Sequence, residues 1–225
     1  MTPIIDTHQH LWDLSRLNLP WTKGLELMDR DHLMPDYIKA KENTGIEATV
    51  YMEVDVDSKH WDREVEDMSV HCSDENTPMK AMVIGGDPLS DDFENYLRKH
   101  TNNPYVKGMR RVLHVPDTGP GYCLKPGFLE GVRKIGKAGL MFDICIRPAE
   151  LMDALALARL CPETTFVLDH CGNADPYIVS GTDDPGTEPD GSPFWHTRKG
   201  WLESISTLGA QNKVDCKISC IVART

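Results

Sequence analysis

Pro3-Ile4-Ile5-Asp6-Thr7-His8-Gln9-His10-Leu11 starts the chain on a strand that leads into two histidines. The apolar and β-branched residues from Pro3 to Thr7 predict a short buried strand, entered by a proline that a strand's first position tolerates. Side chains alternate faces along a strand. His8 and His10, at i and i+2, therefore point the same way, roughly 6–7 Å apart along the chain. Two neutral imidazoles on one face, where a strand ends, suit a divalent metal or an anionic substrate. The competing reading makes them loop residues hydrogen-bonded to backbone.

Outward from this stretch, strand-like runs recur at 46–54, 79–84, 106–114, 140–146, 165–169 and 214–219. Helical stretches lie between them. Met34-Pro35-Asp36 places a proline in a first turn and Gly45 ends that helix; Ser58 caps a charged helix to about Cys72. Further helices are expected over 91–99, 128–137, from Arg147-Pro148 to Leu160, and from Trp195 to Leu208. A long loop, Gly172 to Pro193, is rich in glycine, proline and acids. Seven strands alternating with six helices predict an α/β fold, a parallel sheet wrapped by helices, in a single domain over 1–225. No Gly-x-Gly-x-x-Gly or Walker-type loop is present, which counts against a nucleotide fold. The periods alone fit a doubly wound sheet and a (β/α)8 barrel equally.

Composition narrows the function classes. With 40% apolar and 26% charged residues the chain is ordinary globular material. Its net charge of −11, from 24 basic and 35 acidic residues, opposes binding to nucleic acid or an anionic membrane surface. No apolar run approaches the roughly 20 residues of a membrane span, and no basic-then-apolar leader precedes the first strand. A cytoplasmic protein beginning at Met1 is expected. Seven singly scattered cysteines, Cys216 and Cys220 among them, are read as reduced thiols.

Ile5-Asp6-Thr7-His8-Gln9-His10-Leu11-Trp12-Asp13 resembles the opening strand of the amidohydrolase superfamily. The nearest likeness is the amidohydrolase-related branch with its sugar-lactone hydrolases and pyrone-dicarboxylate lactonases. Val106-Lys107-Gly108-Met109-Arg110-Arg111-Val112-Leu113-His114, Val167-Leu168-Asp169-His170-Cys171-Gly172 and Cys216-Lys217-Ile218-Ser219 follow in the family's order. The resemblance implies the (β/α)8 barrel. Such barrels need about 250 residues and eight strands. The eighth strand, with the aspartate that the superfamily places at its end, has no counterpart before Thr225. A C-terminally truncated barrel is therefore expected, prone to self-association through its open edges and a poor lactonase by itself.

In a barrel all strand ends open on one mouth. His8, His10, Glu53, Arg110, Asp143 and His170 would converge there, a set suited to hydrolysis of an anionic or oxygen-rich cyclic ester. The resemblance makes His170 the group that hydrogen-bonds or polarises the substrate carbonyl, and Arg110 a clamp for carboxylate or hydroxyl. For Arg110 the alternative is a helix-facing salt bridge. Asp143, in an otherwise apolar strand, either reacts or orients a basic neighbour; Glu53 either joins the site or is a surface acid. His8 and His10, with His170, would hold one divalent zinc or, without metal, contact substrate. Lys107 sits too early in its strand to serve as a carbamylated metal bridge. The glutamate bridge of TatD-type nucleases is replaced by Lys107-Gly108-Met109-Arg110, which argues against a nuclease. Trp195, His196 and Trp201 are read as packing residues. The expected function is hydrolysis of a lactone of a small sugar acid or aromatic-derived acid. A zinc-dependent decarboxylase and a silent remnant that binds ligand or partner are the alternatives.

Overall fold

The computed structural model describes residues 2–181, 192 and 194–220. They form two compact units. The first runs to Gly86 and takes in Arg98–Met109; the second comprises Asp87–Leu97 and the chain from Arg110 onward.

In the first unit β1 (Ile4–Gln9), β2 (Ile46–Met52) and β3 (Met79–Gly85) alternate with α1 (Met34–Ala40) and α2 (Trp61–Ser73). α3 (Phe93–Thr101) and β4 (Val106–Val112) each pass from one unit into the other. The second unit continues with α4 (Pro126–Lys137), β5 (Met141–Cys145), α5 (Leu151–Leu160) and β6 (Thr165–Leu168). A single turn, α6 (His170–Asn173), then leads to α7 (Pro176–Ser180), α8 (Arg198–Gly209) and β7 (Val214–Cys216).

Pairing is parallel throughout: Asp6 opposes Thr49, Met52 opposes Val83, Asp143 opposes Val167 and Leu168 opposes Cys216. Strand order in the first unit is β1-β2-β3 and then the start of β4; in the second it is the end of β4 and then β5-β6-β7. A doubly wound sheet reverses its order at a switch point. Neither unit does. The sequential order is that of a (β/α) barrel, with seven strands among the described residues.

Each unit has its own core. Tyr51, Met52, Met79 and Met82 are at most 1% exposed, and α2 contributes Val65, Met68 and Cys72. In the second unit Phe128, Phe142 and Phe166 stack edge to face, with centroids 5.8 and 6.4 Å apart. Complete burial of such side chains is worth about 1.5–3 kcal/mol each.

Several local expectations change. Ile4 and Ile5 are 45% and 63% exposed, so Pro3 to Thr7 is no buried strand; burial on β1 begins at Gln9. Among the described residues β1 pairs with β2 at the end of the strand order. Asp57, not Ser58, caps the turn before α2 by accepting from the Lys59 amide, and α2 itself starts at Trp61. The helix expected from Trp195 begins at Arg198, capped by Thr197, whose hydroxyl accepts from the Gly200 amide at 3.0 Å. The loop expected from Gly172 to Pro193 contains α7; residues 182–191 and Pro193 lie outside the described residues, as do Ile221–Thr225. No helix among the described residues is long and apolar enough to cross a membrane.

Candidate active site

In the first unit β1 reaches Gln9, two residues further than its sequence suggests, so His8 lies in the strand and His10 just beyond it. Their ring centroids are 4.8 Å apart, edge to face. Asp6 holds this end of the strand, accepting from the His8 amide at 3.0 Å and the Tyr37 hydroxyl at 2.7 Å. Burial, and then the Asp6 carboxylate, raise the Tyr37 hydroxyl well above its ordinary range. His10 Nδ1 lies 2.9 Å from the Met52 carbonyl oxygen. A carbonyl only accepts, so Nδ1 carries the proton in the neutral ring.

Glu53 follows β2 and is 2% exposed, which removes the surface-acid alternative. Its Oε2 accepts from the Asp55 amide at 2.6 Å, and its own amide donates to the Val83 carbonyl at 3.0 Å. A second buried acid, Glu64, steadies the same strand end by accepting from the Tyr51 hydroxyl (2.8 Å) and the Val54 amide (2.9 Å). Sequence reasoning passed over Glu64. The available signal was its place four and eight residues before Met68 and Cys72, in the buried stripe of α2.

The second unit gathers four charges. Lys217 Nζ lies 2.5 Å from Asp143 Oδ2 and 3.3 Å from Asp169 Oδ1, while Arg110 donates to Asp169 Oδ2 at 3.1 Å. Asp143, Asp169 and Arg110 are all at most 5% exposed. Arg110 therefore joins an internal ion pair with a strand-end acid, not a helix. Arg111 points elsewhere and meets Asp117 at 2.6 Å and Asp87 at 3.6 Å. Burial, reinforced by the Asp169 charge, pushes the Asp143 carboxyl up to about 6; Lys217 and Arg110 pull the other way. Oδ1 of Asp143 is buried with no hydrogen-bond partner among the described residues. Lys107 is exposed.

Lys217 and Asp169 were not among the expected site residues. One signal pointed to them: a lone aspartate in an apolar strand requires a counter-charge, and Lys217 is a lone cation at a strand's end.

His170 follows β6 on a turn whose four residues, His170, Cys171, Gly172 and Asn173, all have φ between 51° and 72°. This is a left-handed helical turn, which costs a non-glycine residue roughly 1–2 kcal/mol. Tertiary bonds hold it. The Cys171 amide donates to the Lys217 carbonyl (3.0 Å), Asn173 Nδ2 donates to the Ile146 carbonyl (2.9 Å), and His170 Nδ1 lies 2.8 Å from Ser219 Oγ. At Gly172 (φ +72°) a Cβ would come within 2.5 Å of Leu151. Gly172→Ala should therefore destabilise the protein by more than about 1 kcal/mol, measured as a lowered urea midpoint at unchanged slope.

The structure thus brings His8 together with His10, and Arg110 together with Asp143 through Asp169 and Lys217.

A family model described as Amidohydrolase matches residues 5–223. L-fucono-1,5-lactonase from Burkholderia ambifaria is 27% identical over 222 residues, spanning 97% of this chain and 68% of that protein. Among solved structures, an amidohydrolase from Burkholderia multivorans with bound zinc superposes with a TM-score of 0.77 at 19% identity, over 100% of this chain and 72% of that one. A probable 2-pyrone-4,6-dicarboxylic acid hydrolase from Acinetobacter baumannii, with citric acid bound, gives a TM-score of 0.68 at 16% identity, over 96% and 70%.

Proposed function

The chain belongs to the amidohydrolase family of hydrolases, and on that premise we propose that it opens the lactone ring of a small sugar acid, with Asp143 as general base. The observation that carries the assignment is the divided state of that carboxylate. Oδ2 is held by Lys217, while Oδ1 is buried with no hydrogen-bond partner among the described residues, its lone pairs uncommitted. A value of about 6 suits a base working near neutrality. Asp143 takes a proton from water as its oxygen attacks the lactone carbonyl. The ring C–O bond then breaks, and the departing oxygen recovers the proton to give the open hydroxy acid. His170, anchored through Nδ1 on Ser219, hydrogen-bonds the carbonyl oxygen as it gains charge. Arg110 holds Asp169 and, through it, the lysine that steadies Asp143.

A sugar-acid lactone is favoured over a carboxylated pyrone on two grounds. The relative named for a sugar lactone is the more similar of the two. Arg110, the natural clamp for a ring carboxylate, already pairs with Asp169. His8 and His10 fit a divalent metal, since the His10 Nδ1–H is committed to a carbonyl, the support that metal-bound imidazoles use. Zinc held there would supply Lewis-acid polarisation of an oxygen. Assays of an L-sugar 1,5-lactone, 2-pyrone-4,6-dicarboxylate and an aromatic carboxylate, with metal analysis of each preparation, test the proposal. Acid release from the sugar lactone above its spontaneous rate is expected. Carbon dioxide release, or turnover of the pyrone alone, would overturn it.

A further inference from the structure

Four of the seven cysteines, Cys72, Cys123, Cys145 and Cys161, are buried. Cys171 is half-buried, and Cys216 and Cys220 are exposed. Two of the accessible three meet in the second unit. We propose that Cys171 and Cys216 are a redox pair, closed to a disulfide by a peroxide-class oxidant and reopened by a thiol reductant. Neither sulfur takes part in the hydrolysis proposed above, so the two assignments stand or fall separately.

The fold brings them together. β6 and β7 pair in parallel with Leu168 opposite Cys216, and neighbouring strands lie about 4.8 Å apart. The left-handed turn after β6 doubles the chain back, so that the Cys171 amide donates to the Lys217 carbonyl at 3.0 Å, one residue past Cys216. The Cys171 carbonyl accepts from Trp201 Nε1 at 2.9 Å, which holds the backbone of Cys171 on both sides. Cys171 Sγ lies 3.6 Å and Cys216 Sγ 3.8 Å from one atom, that same Lys217 carbonyl oxygen. The two thiols also share a hydrogen bond, and the Cys171 amide donates to the Cys216 sulfur. Sulfurs in contact on two backbone-bonded segments need a small side-chain rotation to reach the roughly 2.05 Å of a disulfide. A cysteine that serves only packing is typically buried; these two are accessible.

Partial burial, and then the Cys171 thiol beside it, push the Cys216 thiol up to about 11. Cys216 therefore stays protonated near neutrality, and the first attack falls to Cys171. Its sulfur attacks one peroxide oxygen, the O–O bond breaks, and the thiol proton leaves with the other oxygen as water, giving a sulfenic acid. The Cys216 sulfur then displaces hydroxide from the Cys171 sulfur. The S–S bond forms, and the Cys216 proton joins that hydroxide as a second water. Both sulfurs are oxidised and the peroxide is reduced. The bond ties the turn carrying His170 to the residue before Lys217. It lies at an accessible place, as the disulfides that reductants reopen do.

The test is mass spectrometry of the whole chain after hydrogen peroxide, with free thiols then alkylated and the bridged peptides mapped. The folded chain should lose two hydrogens without gaining oxygen, carry a Cys171–Cys216 bridge as its main product, and regain both thiols in dithiothreitol. Cys171→Ser and Cys216→Ser should each lose the bridge and gain oxygen at the cysteine that remains. Circular dichroism checks that each variant is folded; if either is not, the peptide map of the unaltered chain decides. The same treatment in denaturing urea separates fold from chance, because loop closure there favours the short Cys216–Cys220 link. A folded chain that bridges Cys216 to Cys220, joins separate chains, or leaves Cys171 and Cys216 alkylated would overturn the proposal. So would an equal yield of the Cys171–Cys216 bridge in urea.

Discussion

Asp143→Asn should lower kcat/KM for lactone hydrolysis by about 10²–10⁴-fold, the usual worth of a positioned general base. The substitution keeps size and shape, and the amide oxygen can still accept from Lys217; what is lost is the ability to take a proton. The pH profile separates this role from a structural one. The Asp143 carboxyl is raised to about 6 by burial and the Asp169 charge, and only its ionised form is a base. In the unaltered protein kcat/KM should therefore fall as pH drops through about 6 and level off above it. The residual activity of Asp143→Asn should lack that limb. An asparagine variant that is folded and retains both rate and limb would remove Asp143 from the chemistry.

Lys217→Met should act on stability and on the same limb together. Removing one partner of a buried ion pair leaves the other charge uncompensated, at a typical cost of about 3–5 kcal/mol. In a chain of this size that corresponds to a fall in Tm of roughly 10 °C. Asp143 would bear most of the loss, because Asp169 retains Arg110. The cation that now pulls the Asp143 carboxyl downward would be gone, so the acid limb should move above pH 6. Thermal melts and pH–rate profiles of the same preparations give both readouts. A lowered Tm with an unmoved limb would make Lys217 purely structural.

How much of this was legible in the sequence depended on whether the signal was local. The alternation of β-branched runs with helix starts located all seven strands, because period and breakers act over a few residues. It could not say that Ile4 and Ile5 stay exposed, since burial depends on what lies across the strand. His8 and His10 were readable as a pair because strand geometry alone relates i to i+2. Asp143 stood out as an acid in an apolar run, but its partner lies 74 residues away, and no short-range rule connects the two. The cap expected at Ser58 moved one residue, because Asp57 offers an equally good oxygen next door, and the helix expected from Trp195 starts three residues later, behind Thr197. The left-handed path from His170 to Asn173 had weak local cues, Gly172 and Asn173, and is held mainly by bonds to Ile146, Lys217 and Ser219.

The charge cluster around Asp143 also sets how the protein should respond to ionic strength. Two carboxylates and two cations sum to zero when all are ionised, and all but Lys217 are buried. Salt screens exposed charges over about 10 Å at 0.1 M and reaches buried pairs far less. The excess of negative charge elsewhere on the chain, −11 in all, repels itself in the compact state and is relieved by that same screening. Added salt thus relaxes the periphery while leaving the ionic order of the interior untouched.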